Sequence, residues 1–196
     1  VLLNALLLGA VYVLLAAFSY GVSDDGHRIA LVWLPASITA AWIIGNRQHS
    51  DIPLYISALL ANCAVSGLYG DSLLFAVGGS AAKVLGIYLA VILLKPRCRD
   101  QLTVRDAAVI LAVYVLLAVP VAAALGASVI WYEQPVAWGE TFFNWWLGEA
   151  IGAVLLLLPA LVFANLGYRR LVASHQLSTS TLLLIGLFTV SFVVLK

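Results

Sequence analysis

Methionine is absent from the 196 residues, histidine occurs three times, and only 10% of the chain is Asp, Glu, Lys or Arg. Each shortage closes off a class of function. With so few charges and a formal net charge of +1, the chain offers no concentrated basic stripe of the kind that displaces counterions from phosphates, which excludes nucleic acid as a partner. The histidines, His27, His49 and His175, fall in segments that read as loops, without i, i+4 partners at comparable depth, so no metal or haem site is expected. No G-x-S-x-G, H-E-x-x-H, phosphate-loop or dinucleotide motif occurs, which argues against catalysis by this chain. Its two cysteines have different expected depths, Cys63 inside an apolar run and Cys98 in a basic loop, so no disulfide framework is expected. With Val1 first, no methionine and Lys196 closing a hydrophobic run, the chain is expected to be a piece of a longer one.

What is abundant is apolar surface. Hydrophobic residues make up 64% of the chain and mean hydropathy is +1.07, far from a soluble domain. The composition is that of an integral membrane protein, with six Trp, eight Tyr and seven Phe available as interfacial aromatics.

A bilayer core takes about 20 apolar residues as a helix, because the backbone must satisfy its own hydrogen bonds there. Seven segments qualify: about 1–20, 29–45, 52–69, 72–94, 107–130, 141–164 and 181–195. The fold class is therefore all-α, a polytopic transmembrane bundle forming a single domain over 1–196. Pro53 suits a first helical turn, whereas Pro35, Pro120 and Pro159 lie within apolar runs and are expected to kink or break them. One set of loops holds Arg47, then Lys95, Arg97, Arg99 and Arg105 in "KPRCRDQLTVRD", then Arg169 and Arg170. The opposite set, "GVSDDGHR", "YGDS" and "WYEQPVAWGE", is acidic and aromatic, with Arg28 its sole fixed cation. By the positive-inside rule the N-terminus is cytoplasmic. Seven spans then leave Lys196 outside, and an eighth is expected beyond it. The loop aromatics Trp131, Tyr132 and Trp138 read as an interfacial belt or as a lid over a pocket. The basic run Lys95–Arg105 reads as a topogenic signal or as a docking surface for a partner or anionic lipid.

Two ionisable residues lie deep inside spans: Lys83, in "FAVGGSAAKVLGIYLAV", and Glu149, in "FFNWWLGEAIGAVLLLLPAL". Either charge alone in lipid costs about 2.5–3.5 kcal/mol on insertion scales. Counted along the helix, Lys83 lies roughly 18 Å beyond Asp71 and Glu149 roughly 13 Å beyond Glu140, within reach of a lysine stem. Glu149 is therefore expected to face inward toward Lys83. Small residues accompany both: Gly79, Ser80 and Gly86 around Lys83, and the G-x-x-x-G pair Gly148 and Gly152 around Glu149, which suit close helix packing. Trp145 stands one turn above Glu149, and Asn62 and Asn144 are candidate polar neighbours. Two readings stand side by side: a sensing pocket lined by these residues and Trp33, or an ion pair that only fixes helix register.

These same stretches carry a resemblance. "VWLPASITAAWIIG", "ALLANCAVSGLYG", "GSAAKVLGIYLAVILLKP" and above all "WWLGEAIGAVLLLLPALVF" resemble the first type of bacterial membrane-associated sensor (MASE) domain, from about residue 29 to 164. Trp33, Pro35, Asn62, Trp146, Gly148, Glu149, Gly152 and Pro159 fall on that family's pattern, while Lys83 departs from it by replacing an acid. The resemblance implies an eight-helix sensor in the bacterial inner membrane, joined in cis to a cytoplasmic histidine kinase or cyclic-di-GMP turnover domain. The partners expected are the bilayer, a small-molecule signal or membrane protein, and a second copy in a homodimer. No cofactor is expected. The rival reading is a substrate-binding membrane subunit of an uptake transporter, which is disfavoured by the lack of repeat halves.

Overall fold

The computed structural model describes residues 2–22, 32–46, 50–99, 104–157 and 159–161. Its elements are α1 (Leu2–Val22), α2 (Pro35–Gly45), α3 (Ile52–Leu68), α4 (Leu73–Leu94), a 3-10 turn (Arg97–Arg99), α5 (Val104–Val113), a π turn (Tyr114–Ala118), α6 (Val119–Glu133), α7 (Trp138–Gly152) and a second π turn (Ala153–Leu157). Every described element is helical, as apolar runs of this length in lipid require. Among the described residues, four helices are long and apolar enough to cross a membrane: Leu2–Val22, Leu73–Leu94, Ala108–Glu133 and Trp138–Leu161. The helices α2 and α3 are shorter. The expected span at 181–195 lies outside the described residues, as do the three histidines.

The bundle is apolar on its outside. Leu2, Leu6, Leu14, Leu60, Leu73 and Leu116 are all more than half exposed, a surface that suits lipid and not water. Helix α1 packs on α3, α3 on α4, α4 on α6 and α6 on α7, while α2 sits among α1, α4, α7 and the second π turn. The spans carrying α4 and α7 are about half buried, 50% and 53%, against 28% for α1 and 33% for the α5–α6 span. Of these four long spans, the two that carry Lys83 and Glu149 are therefore the more enclosed.

The second expected span, 29–45, is corrected. Helix α2 begins only at Pro35, in its first turn, because proline has no N–H to continue a helix from the preceding residues. Its 11 residues cover about 16 Å, half of the hydrocarbon thickness. The N–H groups of residues 32–34 lie ahead of the helix and have no helical carbonyl to bond, so they need other partners. They find them in two neighbours: the Trp33 N–H donates to the Gly148 carbonyl at 3.0 Å, and the Leu34 N–H donates to Ser19 Oγ at 3.3 Å.

Pro53 falls in the first turn of α3, as expected. The prolines Pro120 and Pro159 do not break their helices. Each is preceded, two residues upstream, by the end of a π turn. A proline removes one backbone donor, and widening the turn redistributes the carbonyls it strands. In the first π turn the Val119 N–H donates to Tyr114 O, five residues back. The next carbonyl, Val115 O, has Pro120 at its i+5 position and thus no N–H to accept. The Trp146 indole N–H of α7 donates to it instead, at 2.8 Å.

Polar side chains fix the helix ends. Ser72 Oγ accepts from the Phe75 N–H at 3.0 Å, capping α4, and donates to the Glu133 carboxylate at the end of α6. At the opposite end Lys95 Nζ meets Asp51 Oδ2 at 2.6 Å, and Asn46 Nδ2 donates to Asp51 Oδ1 at 2.8 Å. That cluster ties the end of α2 and the start of α3 to the end of α4. Both cysteines are free.

Candidate functional site

Lys83 and Glu149 are both buried, 8% and 4% exposed. Lys83 stands ten residues after Leu73, the first residue of α4, and Glu149 eleven after Trp138, the first of α7. At a rise of 1.5 Å both lie about 15–17 Å from the ends of their helices. Those ends are at the same side of the bundle, since Ser72 reaches Glu133 just before α7 begins. The charges are therefore level, and each lies in the other's electrostatic field.

They do not form an ion pair. The Lys83 ammonium lies over the Trp33 ring, 3.2 Å from its centroid, and 5.1 Å from the centroid of Trp145. Glu149 Oε1 accepts from the Trp145 indole N–H at 3.1 Å. One indole thus serves both charges, presenting its negative face to the cation and its N–H to the carboxylate. A desolvated cation–π contact is worth about 2 kcal/mol or more. Two such contacts offset much of the roughly 3 kcal/mol of placing a lysine in a membrane helix.

Trp145 holds this position because Gly126 of α6 leaves room for it. A Cβ at Gly126 would lie 2.3 Å from two carbons of the Trp145 ring, closer than any real contact. Phe75 packs edge-on against the same indole at 6.1 Å. Trp33 is held from its backbone, through Gly148, and by Gly152. A Cβ at Gly152 would stand 2.0 Å from the Trp33 carbonyl oxygen. The expected G-x-x-x-G pair is therefore used to receive the non-helical segment before α2, and Gly152 meets backbone rather than a partner helix.

Around this centre lies a layer of hydroxyls and aromatic rings. Tyr12 and Tyr20 meet Trp33 edge-on, at 6.5 Å and 5.5 Å. The Trp33 indole N–H lies near the Tyr12 hydroxyl without reaching hydrogen-bond geometry, and is a buried donor with no partner. Ser37 Oγ in the first turn of α2 stands in the same relation to Tyr114. Glu149 lies within electrostatic reach of both tyrosines.

The sequence expectations divide here. Trp33, Lys83, Trp145 and Glu149 meet at one place. Asn62 is buried, but its amide is spent on a different link: it accepts from Tyr12 Oη at 3.0 Å and donates to Ser80 Oγ at 2.6 Å, joining α1, α3 and α4. Asn144 is corrected, for it is exposed; five residues from Glu149 is roughly 140° around a helix, which turns it outward. Of the glycines expected to pack helices, Gly86 does so, since a Cβ there would meet Ala122 of α6 at 2.7 Å. Gly79 instead makes room for the ring of Phe75 on its own helix. Trp131, Tyr132 and Trp138 are exposed at 58%, 79% and 40%, the placement of an interfacial belt. Sequence reading missed Tyr12, Tyr114, Ser37 and Gly126.

An all-helical membrane domain with a charged, aromatic-lined centre is the class that this fold and site define. The sequence model of the MASE1 family matches residues 4–195, nearly the whole chain. The chain belongs to the MASE1 family, whose members are membrane sensory domains and not catalytic ones. No curated protein and no solved structure matches it.

Proposed function

We propose that this chain is the membrane-embedded input domain of a bacterial signal-transduction protein, with its N-terminus in the cytoplasm and its output domain following in cis. A small signal or a membrane partner acts at the Trp33–Lys83–Trp145–Glu149 centre, and the response leaves the domain as a change in helix packing. The observation that carries this reading is that the two buried charges are not paired with each other and that both contact Trp145. A pair kept only to fix register gains most from direct contact, because each desolvated charge then meets its counterion. Here each charge instead leans on an indole, and each indole is mechanically coupled to another element: Trp33 through Gly148 to α7, Trp145 through Gly126 to α6. A ligand that moves Lys83 off Trp33 changes contacts in α2, α4, α6 and α7 together. Differential affinity for the two arrangements then shifts their populations.

The test uses the natural full-length protein in its own membrane. Lys83→Met and Glu149→Gln are expected to hold the output at one level, insensitive to the stimulus, with expression and membrane insertion unchanged. A full stimulus response in both variants would overturn the reading.

A further inference from the structure

We propose that the centre recognises a small zwitterion, an amino acid or betaine, whose carboxylate is taken up by Lys83 and whose ammonium is taken up by Glu149. This inference rests on the reading that a small signal binds here and names the chemistry of that signal.

The first support is unspent capacity. Lys83 carries three N–H donors and meets two ring faces, neither of which is a hydrogen-bond acceptor of carboxylate strength. Glu149 accepts the Trp145 indole N–H and has a second oxygen available. Beside them lie further buried polar atoms without partners, Trp33 Nε1 and Ser37 Oγ. Leaving such groups unsatisfied costs about 1–3 kcal/mol each. A ligand supplying both charges and an acceptor relieves several of these costs at once.

The second support is sign. The two protein charges have opposite signs and equal depth, so a ligand with one charge satisfies one of them and leaves the other facing a repelling neighbour. A ligand bearing both brings no net charge into the bundle. Trp145 adds a geometric requirement: its ring face meets Lys83 and its indole N–H meets Glu149, so the ligand must span from the face of the indole to its N–H edge. The third support lies in α2. Its first turn is buried in the bundle, and the positive end of the helix dipole there favours a carboxylate near Lys83.

The experiment is calorimetric titration of the purified full-length protein in lipid nanodiscs. Probes are glycine, β-alanine, γ-aminobutyrate and glycine betaine, with methylamine and acetate as single-charge controls. At least one zwitterion is expected to bind about tenfold or more tighter than either control, a difference of roughly 1.4 kcal/mol. Lys83→Met is expected to erase the advantage of the zwitterion over methylamine, and Glu149→Gln its advantage over acetate. These opposite changes of preference separate a lost contact from a misfolded variant. Equal binding of methylamine or acetate and the best zwitterion would overturn the inference and leave the small-signal reading standing. Absence of binding by all four zwitterions also overturns it, whereas failure of the small-signal reading shows separately, as an intact stimulus response in the two variants.

Discussion

The indole N–H of Trp146 on α7 donates to the backbone carbonyl of Val115 at 2.8 Å, the carbonyl that Pro120 leaves without a donor. A side chain on one span thus completes the backbone of another. Trp146→Phe keeps the ring and removes the donor, and is expected to cost about 1 kcal/mol, in the range of membrane hydrogen bonds. Pro120→Ala restores a backbone N–H. In that background Trp146→Phe is expected to cost markedly less, and a double-mutant cycle of unfolding in detergent reads the difference. Equal costs in the two backgrounds would show that the bond carries no such role.

Gly152→Ala forces a methyl into the Trp33 carbonyl and is expected to destabilise by about 3 kcal/mol, as overpacking of a fixed backbone does. Gly139→Ala is the control. Nothing lies within 4 Å of a Cβ there, and the change is expected to stabilise α7 by about 0.5–1 kcal/mol. Thermal unfolding of the two variants should move in opposite directions.

Gly126 and Trp145 form a small–large pair across α6 and α7. Gly126→Ala alone is expected to lower Tm, since the indole has no room to retreat. Combining it with Trp145→Phe, which removes the outer ring, is expected to recover part of that loss. A sum of the two single effects would contradict the packing described.

Cys98 lies outside the long spans, 5% exposed. Burial, followed by the Asp106 carboxylate nearby, pushes its thiol above the ordinary range. Less thiolate is then present at neutral pH, and maleimide labelling in the folded protein is expected to be slow, rising as pH is raised. Labelling at the rate of a free thiol at pH 7 would refute this.

How much of this was readable from the sequence follows from what each signal measures. Hydropathy and length report which segments leave water, so the helical membrane class and the depth of Lys83 and Glu149 were visible. Counting residues inward from each outer end places those charges near the same level. Helical phase was visible only where it was applied: Trp145 is one turn from Glu149 and shares its face, whereas Asn144 is one residue earlier and points away. The start of α2 was misread because hydropathy sees residues 29–34 as apolar and says nothing of their backbone; Pro35 was the local signal that settles it. The cation–π arrangement was hidden for a different reason. Charge counting suggests that opposite charges touch, and only Gly126, a glycine on a third helix with no charged neighbour in sequence, leaves room for an indole that contacts both.

The two π turns have a consequence for how these spans are to be drawn. Each inserts one extra residue into its turn, which rotates everything beyond it by about 100° relative to an unbroken helix. A single helical wheel through residues 138–161 is therefore in phase with the molecule only as far as Gly152. Beyond that point the inward stripe resumes on shifted positions, at Ala153, Leu157 and Leu161. Residue pairs chosen for crosslinking or cysteine scanning across Pro120 or Pro159 should be offset by one accordingly.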